Sequence, residues 1–205
     1  FDVGLYRVIS YGGTLNDQGL AVGTMPADAI VQVQTSIAHQ VNLVNIAGVD
    51  VNFWDGGGAG GDGIVSGGSG IWRSGAGSDN WTLADGTLNT AYYDGAFAIF
   101  SAAPGTVTVD GGGGAVTASG LQFASDGYIL TGDAITLTAP QSVIRVGDGT
   151  LAGAGYTATI ASALTSDGDL EKRDLGTLVL TGADSVAGDL YVRAGELRLG
   201  DGGTM

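Results

Sequence analysis

Apolar and polar residues alternate in short runs along the second half of the chain, and a glycine-containing turn closes most of these runs. The runs lie at 107–109, 121–123, 128–130, 135–137, 144–146, 157–160, 178–180, 190–192 and 197–199. Successive side chains of a strand point to opposite faces, so this period of two predicts strands with one apolar face. In the last three runs, the flanking residues are expected to face a shared interior and the middle residue to face outward.

The recurrence of these strands predicts a solenoid. A single short strand cannot bury its apolar face alone, whereas stacked coils pair every strand with neighbours above and below. Asp-Gly steps at 110–111, 126–127, 148–149 and 167–168 are also typical of two-residue antiparallel hairpins, so an antiparallel sandwich or barrel is the alternative. The shortness of the strands and their spacing of about 20 residues favour the solenoid. We therefore expect an all-β fold, a right-handed parallel β-helix.

Three domains are expected along the chain. Residues 1–46 contain strand-like runs at 6–9, 30–34 and 40–44 and are predicted to be the terminal coils of a preceding β-helix unit. Residues 47–104 form a Gly/Trp-rich transition segment, in which 56–77 is a projecting loop or loosely wound coil anchored by Trp54, Trp72 and Trp81. Residues 105–205 are predicted to be regular β-helix coils.

The segment 170–200 resembles the autotransporter-associated β-strand repeat of Gram-negative autotransporter passenger domains. The matching residues are Lys172, Gly176-Thr177-Leu178, Leu180-Thr181-Gly182-Ala183, Gly188, Val192, Gly195, Leu197 and Leu199-Gly200. The chain departs from that pattern at 173–175, where the family has a glycine-bearing turn, and at 184–186, where it has Asn-Thr-Tyr. A looser likeness to such passengers covers Trp54-Asp55-Gly56, Asn80-Trp81 and 107–111.

This resemblance implies a section of a passenger displayed at the cell surface of a Gram-negative bacterium, acting as a stalk or adhesin. It further implies an anchor in the outer membrane through a C-terminal β-barrel outside this chain. The expected partners are a host-cell or extracellular-matrix component or another copy of the protein. The absence of cysteine suits a passenger that crosses the outer membrane unfolded.

Composition narrows the classes of function. The 39 glycines indicate many tight turns, and the hydrophobic fraction of 44% is enough to predict a folded protein with little helix. The net charge of −14 disfavours binding to nucleic acid or anionic lipid, because both require a basic surface. No apolar run approaches the length of a membrane span, and Phe1 opens inside a strand-like pattern, so we expect an excised fragment that is not membrane-inserted.

Candidate chemical sites are sparse, and we expect no catalytic, cofactor-binding or metal-binding residues. His39 is the only histidine, and it is expected to face solvent or form a local hydrogen bond. The segment 57–65 fits one calcium-binding nonapeptide, but the stretch that follows lacks the aspartate of a second. The charged cluster at 171–174 (Glu-Lys-Arg-Asp) is predicted to be a solvated turn. A calcium-dependent binding module and a β-helix enzyme that acts on polysaccharides through paired carboxylates stay as alternatives.

Overall fold

The computed structural model describes residues 1–200, so the last five residues of the predicted third domain lie outside it. The strands in chain order are β1 Gly4–Ser10, β2 Val31–Gln34, β3 Gln40–Asn45, β4 Val51–Trp54, β5 Gly70–Arg73, β6 Trp81–Thr82, β7 Asn89–Thr90, β8 Phe97–Phe100, β9 Thr106–Asp110, β10 Val116–Ala118, β11 Gly120–Phe123, β12 Ile129–Gly132, β13 Ile135–Leu137, β14 Gln141–Val146, β15 Thr157–Ile160, β16 Leu164–Ser166, β17 Asp169–Arg173, β18 Thr177–Leu180, β19 Ser185–Val186, β20 Leu190–Val192 and β21 Glu196–Leu199. Two 3-10 helices lie at Gly111–Gly113 and Leu151–Gly155.

From β8 onward, three of the four sheets are built from every third strand of the chain. Their spatial orders are β20-β17-β14-β11-β8-β4-β6-β7, β21-β18-β15-β12-β9-β5 and β10-β13-β16-β19. From β8 onward the chain visits these three sheets in the same order on each circuit, and all strand pairs there are parallel. The protein is therefore nearly all β, with parallel sheets compatible with a β-helix. The antiparallel sandwich or barrel is wrong for this part of the chain.

Aligned apolar residues fill the space between the three sheets. Phe100, Phe123 and Val146 occupy matching positions of β8, β11 and β14, and the two phenyl rings stack 5.1 Å apart. Leu178 and Leu180 are buried, as the alternation predicts. Leu190, Val192 and Leu199 are at least one third exposed, because no further coil stacks on β20 and β21 within the described residues. The expected shared interior is thus complete at β18 and open at the last coil.

We call the stack of coils formed by these three sheets the column. Aromatic residues fill its interior at the end opposite β20 and β21. Trp54, Trp72 and Trp81 are fully buried, and the rings of the first two lie edge-on to Trp81 at 5.2 and 5.1 Å between centroids. Their burial is what the predicted anchoring role requires. Of the two forms expected for residues 56–77, a projecting loop or a loosely wound coil, the coil agrees with β5, which pairs in parallel with β9 and ends the six-stranded sheet. The backbone hydrogen bonds of that strand need no regular side chains, so a glycine-rich sequence still forms it.

The pairing within residues 1–46 differs from the expected stacking of coils. Here β1 and β2 flank β3 in an antiparallel three-stranded sheet. The turn from β2 to β3 is short, and His39 adopts a left-handed backbone conformation there, with φ of 63°. A connection this short reverses the chain direction, whereas a parallel neighbour needs a long crossover. The division of the chain into domains at 46 and 104 stays a prediction.

Candidate functional site

The three-stranded sheet β1-β3-β2, which we call the N-terminal sheet, lies on the outer face of the eight-stranded sheet. Alternate residues of β4 and β8 point away from the column, and among them Phe53, Phe97 and Ile99 are buried. They pack in one cluster with Leu5 and Val44 of the N-terminal sheet. This second core fixes the three-stranded sheet as a side-mounted layer.

Gln122 joins the two layers by hydrogen bonds. Its side-chain Oε1 accepts from the Leu5 backbone N–H at 2.7 Å, and its Nε2 donates to the Leu5 carbonyl at 2.8 Å and the Gly147 carbonyl at 3.0 Å. The side chain is fully buried. Buried backbone groups require hydrogen-bond partners, and the Gln122 side chain supplies a partner to three of them.

Arginines reinforce the same contact. Arg145 is fully buried, donates to the Val3 carbonyl and the Asp174 carboxylate at 3.0 Å each, and lies 4.1 Å from the centre of the Tyr6 ring. Burial raises the pKa of the Tyr6 hydroxyl, and the Arg145 charge opposes that shift. Arg7 pairs with the buried Asp148 at 2.8 Å. The start and the middle of β1 are therefore tied to the eight-stranded sheet and its turns by charged groups.

The cluster at 171–174 is not a solvated turn, and that prediction is wrong. Most of it belongs to β17, where Glu171 and Lys172 are each 1% exposed. Lys172 is in register with Ile144 of β14, so its side chain points into the column. Its Nζ donates to the carbonyls of Asp174 at 2.7 Å, Ala194 at 3.0 Å and Gly176. Leu170, two residues earlier in the same strand, faces the same side and is buried, so strand alternation predicts the inward position of Lys172. The hydropathy pattern does not, because lysine is charged.

Burial and charge pairing perturb both ionisable groups of this strand. Desolvation lowers the pKa of the Lys172 ammonium to about 8, against a smaller opposing effect of the Asp174 carboxylate. On the outer side, hydrogen bonding from Arg193 and Arg173 holds the pKa of the Glu171 carboxyl below its usual value. The arrangement is a structural ion network, with Arg173 also pairing to Asp2 of the N-terminal segment.

A continuous groove runs beside β2, and we call it the β2 groove. Three adjoining cavities of about 220, 290 and 410 Å³ form it, sharing Gln32, Asp50, Val51, Leu83, Ala84 and Asp85 among their walls. The remaining lining residues are Val33, Gln34, Thr35, Ser36, Ile46, Val49, Asn52, Phe53, Gly63 and Tyr93. The groove therefore lies between the N-terminal sheet and the 83–85 turn, with the outer face of β4 as its floor.

The other candidate residues lie apart from this groove or form local structure. His39 is exposed, 5.7 Å from the Tyr11 ring. In the 57–65 segment, the Asp62 carboxylate accepts from the Ile64 backbone N–H at 2.9 Å, which is a local turn contact. Within residues 1–200, no group of three His, Cys, Asp or Glu side chains is placed to hold a metal ion. Neither of the two short helices in that range has the length and apolarity of a membrane span.

One uncharged row of hydroxyl side chains lies on the outer face of the four-stranded sheet β10-β13-β16-β19. Thr117, Thr136, Thr165 and Ser185 occupy matching positions of β10, β13, β16 and β19, and the Thr165 hydroxyl donates to Thr136 at 3.0 Å. The aspartates instead occupy turns, as where Asp148 accepts from the Thr150 backbone N–H at 3.0 Å. The outer face of this four-stranded sheet is thus polar and neutral, and the aspartates lie at the turns.

Comparison with known proteins shows that the chain is similar to an autotransporter adhesin. The chain is 52% identical over 197 residues to a protein described as "Adhesin BmaC autotransporter" from Brucella suis biovar 1 (strain 1330). The match covers 96% of this chain, and the chain spans about 6% of the length of that relative. No protein-family model and no solved structure match the chain. The similarity confirms the resemblance to an autotransporter passenger segment that the sequence motifs indicated.

Proposed function

We propose that this chain is a section of a surface-displayed autotransporter passenger that acts as stalk and adhesin, because 52% identity to an autotransporter adhesin covers nearly its whole length. In this proposal the parallel sheets wind as a right-handed β-helix, since a right-handed crossover is strongly preferred between parallel strands. The molecule is anchored at the outer membrane through a region outside this chain and attaches to a host-cell or matrix component or to another copy.

The architecture supports a presenting role. Successive coils stack along one axis, so the length of the stack separates whatever it carries from the cell surface. The N-terminal sheet projects from one flank and is held by Gln122 and Arg145. A rigid scaffold that positions side-mounted segments is a common basis of protein recognition.

The proposed role is not enzymatic. A polysaccharide-active β-helix needs carboxylates convergent on a substrate groove. Here Asp110, Asp126 and Asp148 each accept hydrogen bonds from backbone N–H groups of neighbouring turns or coils. Their placement favours a structural use of these carboxylates.

Surface display tests the proposal. Residues 1–205 would be fused to an unrelated outer-membrane anchor on non-adherent bacteria, with the anchor alone as control. We expect attachment to cultured host cells or matrix-coated plates, or settling of the bacteria by self-association. Behaviour identical to the anchor-only strain in all three assays would overturn the proposal. Release of reducing ends from acidic glycans by the purified chain would overturn its non-enzymatic part.

A further inference from the structure

We propose that β2 and the β2 groove bind an extended, basic segment of a partner polypeptide, which adds to the N-terminal sheet as a fourth strand. The inference deepens the proposed adhesive function and rests on it, since it specifies the chemistry of the partner. It is carried by three features of the groove: a free strand edge, an unpaired buried amide and an apolar floor between two carboxylates.

The free edge belongs to β2. This strand is the last in the order β1-β3-β2, so one of its sides has no strand neighbour among the described residues. The Ile46 N–H donates to the Ile30 carbonyl at 2.9 Å, and antiparallel pairs alternate between bonded and non-bonded positions. Gln32 and Gln34 therefore bond to β3, while the backbone groups of Val31 and Val33 point outward. Such an edge is a template for an added strand.

The unpaired amide belongs to Gln34, which lines the groove and is 2% exposed. Its Oε1 accepts from Asn42 Nδ2 at 3.0 Å, but its Nε2 has no acceptor in the part of the chain that the structure describes. An unsatisfied buried donor is costly, and a backbone carbonyl of an incoming strand is a suitable acceptor. This group favours a ligand rich in carbonyl oxygens, as a polypeptide is.

The floor and rim define the side chains of the partner. Val51 and Phe53 form an apolar floor, and the exposed Leu83 and Tyr93 stand beside it. Asp50 and Asp85 are the charged residues of the lining, and no lysine or arginine lines these cavities within residues 1–200. A strand with alternating faces can place apolar side chains on such a floor and cations beside the carboxylates.

Binding of a defined peptide tests the inference. The probe is an acetylated, amidated peptide of alternating lysine and valine, titrated into the full chain by calorimetry at low and high salt. The comparison probes are its glutamate–valine analogue and a neutral chitin oligosaccharide. We expect the lysine peptide alone to bind, with affinity falling as salt increases, because part of the attraction is between charges.

Two sets of variants locate the contact. Val33→Pro removes an outward N–H without breaking the β2–β3 ladder, and we expect about a tenfold loss of affinity, whereas the matched Val33→Ala variant keeps the N–H and the binding.

The double variant Asp50→Asn and Asp85→Asn should weaken binding and flatten its salt dependence. Asp167→Asn, at an exposed turn outside the groove, is its control. Circular dichroism confirms that each variant is folded.

Several results would overturn the inference. They are equal binding of the lysine peptide to Val33→Pro and Val33→Ala, equal binding of the acidic analogue, or binding of the oligosaccharide instead of the peptide. The display assay separates this failure from failure of the proposed function. Attachment that persists unchanged in Val33→Pro contradicts the β2 groove but leaves adhesion standing, whereas absence of attachment by the parent chain contradicts adhesion itself.

Discussion

Replacement of Gln122 by methionine should weaken the whole attachment of the N-terminal sheet. Methionine keeps the length of the side chain, so the change removes hydrogen bonds with little change in volume. Three buried backbone groups lose their partner: the Leu5 N–H, the Leu5 carbonyl and the Gly147 carbonyl. At about 1 kcal/mol for each unsatisfied group, we expect a loss of about 3 kcal/mol in the free energy of unfolding.

Gln141→Met is the matched control for this substitution. Gln141 lies on the adjacent strand β14 and is exposed, and it donates one hydrogen bond of 3.1 Å to Glu171. We expect its replacement to cost less than about 0.5 kcal/mol, as is usual for surface positions. Both free energies are measured by urea unfolding followed through tryptophan fluorescence. Hydrogen exchange of the backbone amides of β1 then reports whether the Gln122 variant loosens that strand.

Agreement of the two variants within about 0.5 kcal/mol would refute the reasoning, because it would mean that the three backbone groups find other partners at no cost. Unchanged exchange protection at Leu5 would refute it in the same way. A loss confined to the Gln122 variant, with faster exchange in β1, is the expected outcome.

Three further outcomes follow from the buried groups. Trp72→Ala should cost about 3 to 5 kcal/mol and reduce the near-ultraviolet circular dichroism of the aromatic cluster. Between pH 8 and about 10 the unfolded chain binds more protons at Lys172 than the folded chain, so stability should rise by about 1 kcal/mol in pH-dependent unfolding, and Lys172→Met should abolish the rise. Above pH 10 burial of Tyr92, which raises the pKa of its hydroxyl, should reverse the trend. Gly67→Ala should destabilise by about 2 kcal/mol more than Gly13→Ala in thermal unfolding. Both glycines have positive φ, but only the Cβ added at Gly67 meets backbone oxygens, those of Ser101 and Ala103.

The strands of the column were predictable because their side chains alternate strictly. The run at 178–180 falls within β18 and buries its two flanking leucines. The pattern also distinguished stacked coils from hairpins, through strand length and spacing. Hydropathy could not predict the pairing of residues 1–46, because an apolar face is equally required by a coil and by a sheet laid on the outside of the column.

The contacts of the buried polar side chains could not be predicted from the sequence for a different reason. Gln122, Arg145 and Lys172 are polar, so their burial depends on partners more than twenty residues away in sequence or on the neighbouring coil. Alternation places Lys172 inward after Leu170, but hydropathy alone places a lysine in solvent. The β2 groove likewise joins segments around residues 32, 50 and 84, which have no local sequence signal in common.

The buried tryptophans make the two ends of the column different. On their side β4 is paired with the antiparallel strand β6, and the buried indoles occupy the space that the interior of another coil would need. On that side the parallel pairing of the eight-stranded sheet stops at β4, whereas β20 and β21 keep free edges among residues 1–200. The two ends of the parallel stack therefore differ: buried indoles fill the interior at one end, and the end strands β20 and β21 leave the interior open at the other within the described residues.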